Sequence, residues 1–132
     1  MKTLGIRHVA LNVQNPQASK AFYLQIMKMD LEWEPDAENI YLTSGGQDNL
    51  ALHQAIGPPS ETAQRLDHIG VAVPTLEDVD LWYAWIKAKG VRILKEIKTH
   101  RDGARSFYIA DPDGNIIQMI YHPPIARSAT GT

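Results

Sequence analysis

Residues 6–13 of the chain read IRHVALNV, and residues 66–73 read LDHIGVAV. Each stretch has a histidine near its start and an alternating apolar pattern after it, and His8 and His68 are 60 residues apart. Turn residues and a helical pattern follow both stretches. Self-similarity of this kind is the signature of a repeated structural unit. We therefore predict two copies of one half-sized module, with a histidine at the same place in each.

The first copy has the pattern of a strand, a helix and three strands. Alternation over residues 5–13 predicts the first strand, and Asn15-Pro16 supplies a helix cap followed by proline at the first helical position. Apolar residues at three- and four-residue steps then predict a helix that ends near Lys28. Proline and glycine breaks separate three further predicted strands, around residues 31–34, 38–43 and 49–54.

The second copy repeats this order. Thr75 and Asp78 resemble a capping box, Gly90 is suited to end the helix, and Asp111-Pro112-Asp113-Gly114 is a strong turn. The predicted elements are a strand at 66–73, a helix at 76–89 and strands near 91–98, 104–110 and 115–121. The fold class predicted from both copies is α+β, with two βαβββ modules that form a curved, open mixed sheet.

The predicted domain organisation is a single domain spanning residues 1–132, because this length suits one domain of ordinary size. Its first module covers about 4–56 and its second about 65–122. A Pro-rich linker at about 57–64 joins them, and residues 123–132 form a tail.

Charge and composition limit the classes of partner that the protein is expected to bind. The chain has 13 basic and 15 acidic residues, a formal net charge of −2, and the two signs are interspersed. This pattern argues against nucleic acid and against a membrane surface, and it favours a small-molecule partner. Cysteine is absent and no long apolar segment starts the chain, so we expect a cytoplasmic protein.

Strand parity predicts where the repeated histidines point. His8 shares a strand face with Ala10 and Asn12, and His68 shares one with Gly70 and Ala72. A lone histidine is most often a core or surface residue. A matched pair beside small neighbours instead favours a hollow face, and a pseudo-twofold packing of the modules would bring both rings to one pocket. We therefore predict a metal site or a ligand cup.

These features resemble the vicinal oxygen chelate superfamily, which includes glyoxalase I, extradiol dioxygenases, fosfomycin-resistance transferases and bleomycin-sequestering proteins. The resemblance covers about residues 4–122 and rests on the doubled module, His8 and His68, the Phe22-Tyr23 pair, and the FYIADPDGNIIQ segment at 107–118. It implies one divalent ion (Fe, Zn, Ni or Mn), held by residues of the first and last strand of each module. The implied ligands here are His8, His53, His68 and Gln118.

The ligand set departs from the family pattern at Gln118, where members usually carry Glu, and His53 also stands where several have Glu. Three imidazoles and an amide leave the ion its full charge, which lowers metal affinity and favours an anionic substrate. Gln118 is either a ligand or a polar residue of a metal-free cup, and a one-residue slip would turn His53 outward.

The predicted function is a divalent-metal enzyme of the glyoxalase or dioxygenase type that binds a substrate through adjacent oxygens. The reaction class, lyase, isomerase or dioxygenase, and the catalytic residues stay open. The alternative is a metal-free, drug-sequestering binding protein.

Four further residues are candidates for substrate binding. Of Phe107 and Tyr108 on one strand, whichever points inward would contact a ligand, and the other belongs to the core. Arg105 lies in a polar segment that is either an anion clamp or a solvated turn, and His122 is either a rim residue of the site or simply exposed. The family resemblance and the aromatic residues of the second helix predict a homodimer.

Overall fold

The computed structural model describes residues 6–58 and 66–124. The chain divides into two compact units, Met1–Ala63 and Gln64–Thr132. Residues 1–5, 59–65 and 125–132, which include most of the predicted linker and tail, lie outside the described residues. That the two units act as one domain stays a prediction.

Both units have the predicted order of one strand, one helix and three strands. The first unit consists of β1 (His8–Val13), α1 (Pro16–Ala21) with a π-helical continuation (Phe22–Ile26), β2 (Asp30–Asp36), β3 (Asn39–Thr43) and β4 (Asn49–Gln54). The second unit consists of β5 (Ile69–Ala72), α2 (Leu76–Ala88), β6 (Ile93–Thr99), β7 (Arg105–Ala110) and β8 (Ile116–Tyr121).

Each unit forms its own four-stranded mixed sheet, and the two sheets have the same topology. The strand order is β1-β4-β3-β2 in the first and β5-β8-β7-β6 in the second. In both, the first strand runs parallel to the last, and the remaining pairs are antiparallel. The α+β fold class predicted from the repeat is thus confirmed.

One face of the first sheet is the core of its unit. Leu11 and Val13 are 5% and 0% exposed, whereas their neighbours His8, Ala10 and Asn12 are exposed. The helix α1 contacts β3 and β4, whose buried residues Ile40, Leu42, Leu50 and Leu52 complete the apolar layer. The other face of the sheet is therefore left for polar side chains.

The first helix differs from its prediction. Asn15 caps it by accepting a hydrogen bond from the Ala18 backbone N–H, and Pro16 is its first residue, as expected. From Phe22 to Ile26, however, the helix is π-helical rather than α-helical. Apolar spacing indicates which face of a helix is buried, but it does not separate i→i−4 from i→i−5 hydrogen bonding.

The second helix follows its prediction closely. The Asp78 N–H donates to the Thr75 hydroxyl, and the Thr75 N–H donates to the Asp78 carboxylate, which completes the capping box. Gly90 has φ +71°, the left-handed conformation that glycine tolerates best. The strand before this helix is shorter than predicted: β5 begins at Ile69, so His68 lies just ahead of it.

Candidate functional site

The open face of the first sheet carries His8. Its Nδ1 lies 2.7 Å from Oδ1 of Asn49, its direct partner in the parallel β1–β4 ladder. Asn49 in turn donates from Nδ2 to a Glu32 carboxylate oxygen at 3.0 Å. The imidazole is therefore held by an amide that a carboxylate orients.

His53 lies on the same face as Ala51, as strand parity predicts, and is half-buried. Its ladder partners are Asn12 on β1 and Asn39 on β3. Its Nδ1 lies 2.7 Å from Asn39 Oδ1, and its ring meets the Tyr41 ring edge-on at 5.8 Å.

His8 and His53 are not brought together within the first unit. His8 is level with Asn49, and His53 is four residues farther along the same strand. At about 3.3 Å per residue this separates the two levels by about 13 Å. A single ion bound within this unit would not reach both rings.

In the second unit, three candidate residues lie close together. Gln118 on β8 pairs with Gly70 on β5 and with Tyr108 on β7. The His68 ring meets the Tyr108 ring edge-on at 5.5 Å, and its Nδ1 lies 2.6 Å from an Asp67 carboxylate oxygen. The fold therefore places His68, Tyr108 and Gln118 in one neighbourhood.

Comparison of the two ladders shows that His53 and Gln118 hold different places. Gly70 and Ala10 each lie two residues after a repeated histidine, and their partners on the last strand of each module are Gln118 and Ala51. Ala51 thus occupies in the first unit the position of Gln118 in the second. His53 lies two residues beyond that position, which argues against its predicted role as a metal ligand.

An open cavity of about 1000 Å³ adjoins Gln118 in the second unit. Its floor comes from the small residues that parity placed beside His68, and its wall from the β6–β7 loop. The lining consists of Gly70, Ala72, Lys98, Thr99, His100, Arg101, Asp102, Ala104, Tyr108, Gln118, Ile120 and His122.

The cavity wall carries a net positive charge, because two cations, Lys98 and Arg101, line it beside one carboxylate, Asp102. That carboxylate accepts a hydrogen bond from the Ala104 backbone N–H. Such a lining favours an anionic ligand, because lysine and arginine donate charge-assisted hydrogen bonds to carboxylate and phosphate. Sequence reasoning missed Lys98, which lies on an alternating, mostly exposed strand.

Two of the four candidate substrate contacts lie away from the cavity. Phe107 is fully buried and packs edge-on against Tyr83 of α2, so of the aromatic pair only Tyr108 faces the cavity. The Arg105 guanidinium donates hydrogen bonds to the Asp80 carboxylate at 2.7 Å and to the Thr99 hydroxyl at 2.6 Å, and Arg105 does not line the cavity. Successive side chains of β7 point to opposite faces of the sheet. Arg105 and Phe107 therefore lie on the face opposite to Ser106 and Tyr108. Tyr108 and His122 line the cavity.

The donor chemistry of this neighbourhood fits a divalent ion in part. Asp67 accepts from Nδ1 of His68, which leaves Nε2 for coordination, and Gln118 offers an amide oxygen. Among residues 6–58 and 66–124, no group of three His, Cys, Asp or Glu side chains is placed to hold a metal.

Neither helix in the described part of the chain has the length and hydropathy of a membrane-spanning segment.

Comparison with curated proteins finds relatives along most of the chain. It is 30% identical over 120 residues to the metallothiol transferase FosB of Staphylococcus epidermidis, covering 90% of this chain and 82% of the relative. It is 34% identical over 110 residues to the phenazine antibiotic resistance protein EhpR of Enterobacter agglomerans, covering 81% of this chain and 84% of the relative.

Solved structures support the fold. A glyoxalase/dioxygenase from Nostoc punctiforme matches with a TM-score of 0.75 and 24% identity, covering 89% of this chain and 90% of that chain. A lactoylglutathione lyase from Agrobacterium tumefaciens matches with a TM-score of 0.73 and 19% identity, covering 89% and 92%. The family model described as Glyoxalase/Bleomycin resistance protein/Dioxygenase superfamily matches residues 5–119, and the chain belongs to that superfamily.

Proposed function

We propose that the protein is a divalent-metal-dependent enzyme that acts on a small anionic substrate with adjacent oxygens. The observation that carries the proposal is the cationic cavity of about 1000 Å³ beside Gln118 and Tyr108 in the second unit. An ion bound without a carboxylate ligand keeps its full positive charge, and the cavity wall adds further positive charge. Both features favour an anion.

The proposed ligands are His68 and Gln118, with His8 carried over from the family resemblance. His53 is left out of this set because it lies two residues beyond the position equivalent to Gln118. When bound, the ion supplies Lewis acidity toward the substrate oxygens.

The chain's own residues have separate tasks. Asp67 orients the His68 ring, and Tyr108 packs against the same ring from the side. Lys98 and Arg101 are proposed to bind the anionic group of the substrate, because their side chains line the cavity. Ile120 supplies an apolar patch on the cavity floor.

Among reaction classes, thiol transfer is favoured. The chain is 30% identical to a protein named a metallothiol transferase. A two-histidine, one-carboxylate iron site is incomplete in the proposed ligand set, and a glyoxalase-type isomerisation lacks a ligand carboxylate to move the proton. Lyase, isomerase and dioxygenase substrates belong in the assay panel beside thiol acceptors, each tested with Fe(II), Mn, Ni and Zn.

Metal analysis tests the proposal directly. Protein purified without chelator or affinity tag is expected to hold close to one ion per chain. The ion should be lost from His8→Ala and His68→Ala and kept in His53→Ala, the matched control. Sub-stoichiometric metal that ignores all three substitutions would reject the enzyme.

A metal-free binding protein is the second candidate, and a specific observation favours it. Trp33 is 60% exposed and stacks on Tyr41 at 5.3 Å, which offers a flat aromatic surface. A relative at 34% identity is named a phenazine antibiotic resistance protein. Under this alternative, a phenazine quenches tryptophan fluorescence in the presence of chelator, and Trp33→Leu abolishes that quenching while Trp82→Leu does not.

A further inference from the structure

We infer that Asn49 and Asn39 are positioning residues that hold His8 and His53 in the tautomer with the proton on Nδ1. Both asparagines lie on the open face of the first unit, and their hydrogen bonds to the imidazoles need no metal. Only the meaning of the tautomer for His8, as a ligand ready for coordination, rests on the proposed function.

The hydrogen-bond chain at His8 determines which atom carries the proton. Asn49 Nδ2 donates to Glu32 at 3.0 Å, and a carboxylate oxygen only accepts. The amide oxygen of Asn49 must then face the imidazole, 2.7 Å from Nδ1. Because an amide oxygen is an acceptor, the short contact requires a proton on Nδ1.

The same chemistry recurs at His53 through different strands. Asn39 Nδ2 donates to both oxygens of Asp36, at 3.0 and 3.2 Å. The Glu38 backbone N–H, 2.9 Å away, holds that carboxylate in place. Asn39 Oδ1 therefore faces His53 Nδ1, at 2.7 Å. His8 and Asn49 face each other across a parallel strand pair, whereas His53 and Asn39 face each other across an antiparallel pair. The shared hydrogen-bond pattern therefore does not follow from one local geometry.

The consequence lies at the opposite ring nitrogen. A neutral imidazole has one donor and one acceptor nitrogen, so a proton on Nδ1 leaves a lone pair on Nε2. Within the described part of the chain, no hydrogen bond engages Nε2 of either ring. His8 thereby presents a metal-binding atom, and His53 presents an acceptor for an N–H or O–H group of a bound ligand.

Nuclear magnetic resonance tests the tautomers without metal or substrate. Two-bond ¹H–¹⁵N correlation spectra of ¹⁵N-histidine-labelled, chelator-treated protein distinguish Nδ1–H from Nε2–H in the neutral ring. Both His8 and His53 are expected to show Nδ1–H. Asn49→Leu should return His8 alone to the Nε2–H form that histidine prefers in water, and Asn39→Leu should do the same for His53 alone.

Matched variants separate positioning from general packing. Asn12→Leu makes the same change on the same face, beside His53, and should leave both tautomers as they are. Asn49→Asp still offers an acceptor and should keep His8 in the Nδ1–H form. If Asn49→Leu fails to fold, Glu32→Leu removes only the group that orients the amide and should give a tautomer mixture. Nε2–H at either ring of the wild type, or tautomers that ignore these substitutions, would overturn the inference.

A metal titration then distinguishes this inference from the proposed function. If His8 is a ligand, Asn49→Leu weakens Zn²⁺ binding by about 10- to 100-fold, as is usual when the hydrogen-bond partner of a ligating histidine is removed. Asn39→Leu is the control and leaves the affinity unchanged. A wild type that binds none of Fe(II), Mn, Ni and Zn but shows both Nδ1–H rings would reject the metal enzyme and keep the tautomer assignment.

Discussion

At the scale of single residues, Nδ1 of each repeated histidine faces a side-chain oxygen that accepts a hydrogen bond, but the two oxygens belong to different residue types. Asn49 holds Nδ1 of His8, whereas the Asp67 carboxylate holds Nδ1 of His68. A carboxylate accepts without help, but an amide has a donor end as well, and so Asn49 needs Glu32 to orient it. The first unit thus uses three side chains where the second uses two.

Gln118 offers the sharpest single substitution. Gln118→Glu replaces a neutral amide oxygen with a charged donor, so we expect divalent metal to bind at least about tenfold more tightly, since even changes in the surrounding shell alter affinity by about 10- to 100-fold. Competition with a fluorescent chelator measures the change. Gln47→Glu, in an exposed turn, is the control. Equal affinities for wild type and Gln118→Glu would mean that Gln118 does not touch the ion.

At the scale of elements, the ends of the helices are local in origin. Asn15 and Pro16 start α1, and Thr75 with Asp78 starts α2, each through hydrogen bonds within three residues. The π-helical segment is different. Both Phe22 and Tyr23 are buried in it, and apolar spacing in the sequence does not distinguish it from an α-helix.

The capping box of α2 makes a stability prediction. Thr75→Ala removes the hydroxyl that accepts the Asp78 N–H, and the free energy of unfolding should fall by about 1 kcal/mol. Urea denaturation followed by circular dichroism measures it. Thr75→Ser keeps the hydroxyl and should retain most of the stability. Equal losses in the two variants would show that the cap does not stabilise this helix.

At the scale of the whole molecule, large apolar side chains remain exposed on both units. Trp33 and Leu81 are 60% and 68% exposed. We predict a homodimer, because such side chains favour self-association. Size-exclusion chromatography with light scattering should give twice the chain mass of 14.7 kDa. A mass of one chain at the highest concentration reached would contradict the prediction.

The sequence alone determined the element order, the repeat, the helix caps and the faces of the strands. Alternation along a strand is a local property, so it correctly separated Leu11 and Val13 from His8, and Gln118 from Ile117 and Met119. These features depend on neighbours a few residues away. For that reason they could be predicted from the sequence alone.

Only the tertiary structure decided which side chains meet. The bond from His8 to Asn49 joins residues 41 apart, and the bond from Arg105 to Asp80 joins residues 25 apart. The level of His53 depends on the register between β1 and β4, which pairs it with Asn12. Long-range pairing of strands has no signature in a single stretch of sequence, because it arises from the packing of the whole sheet.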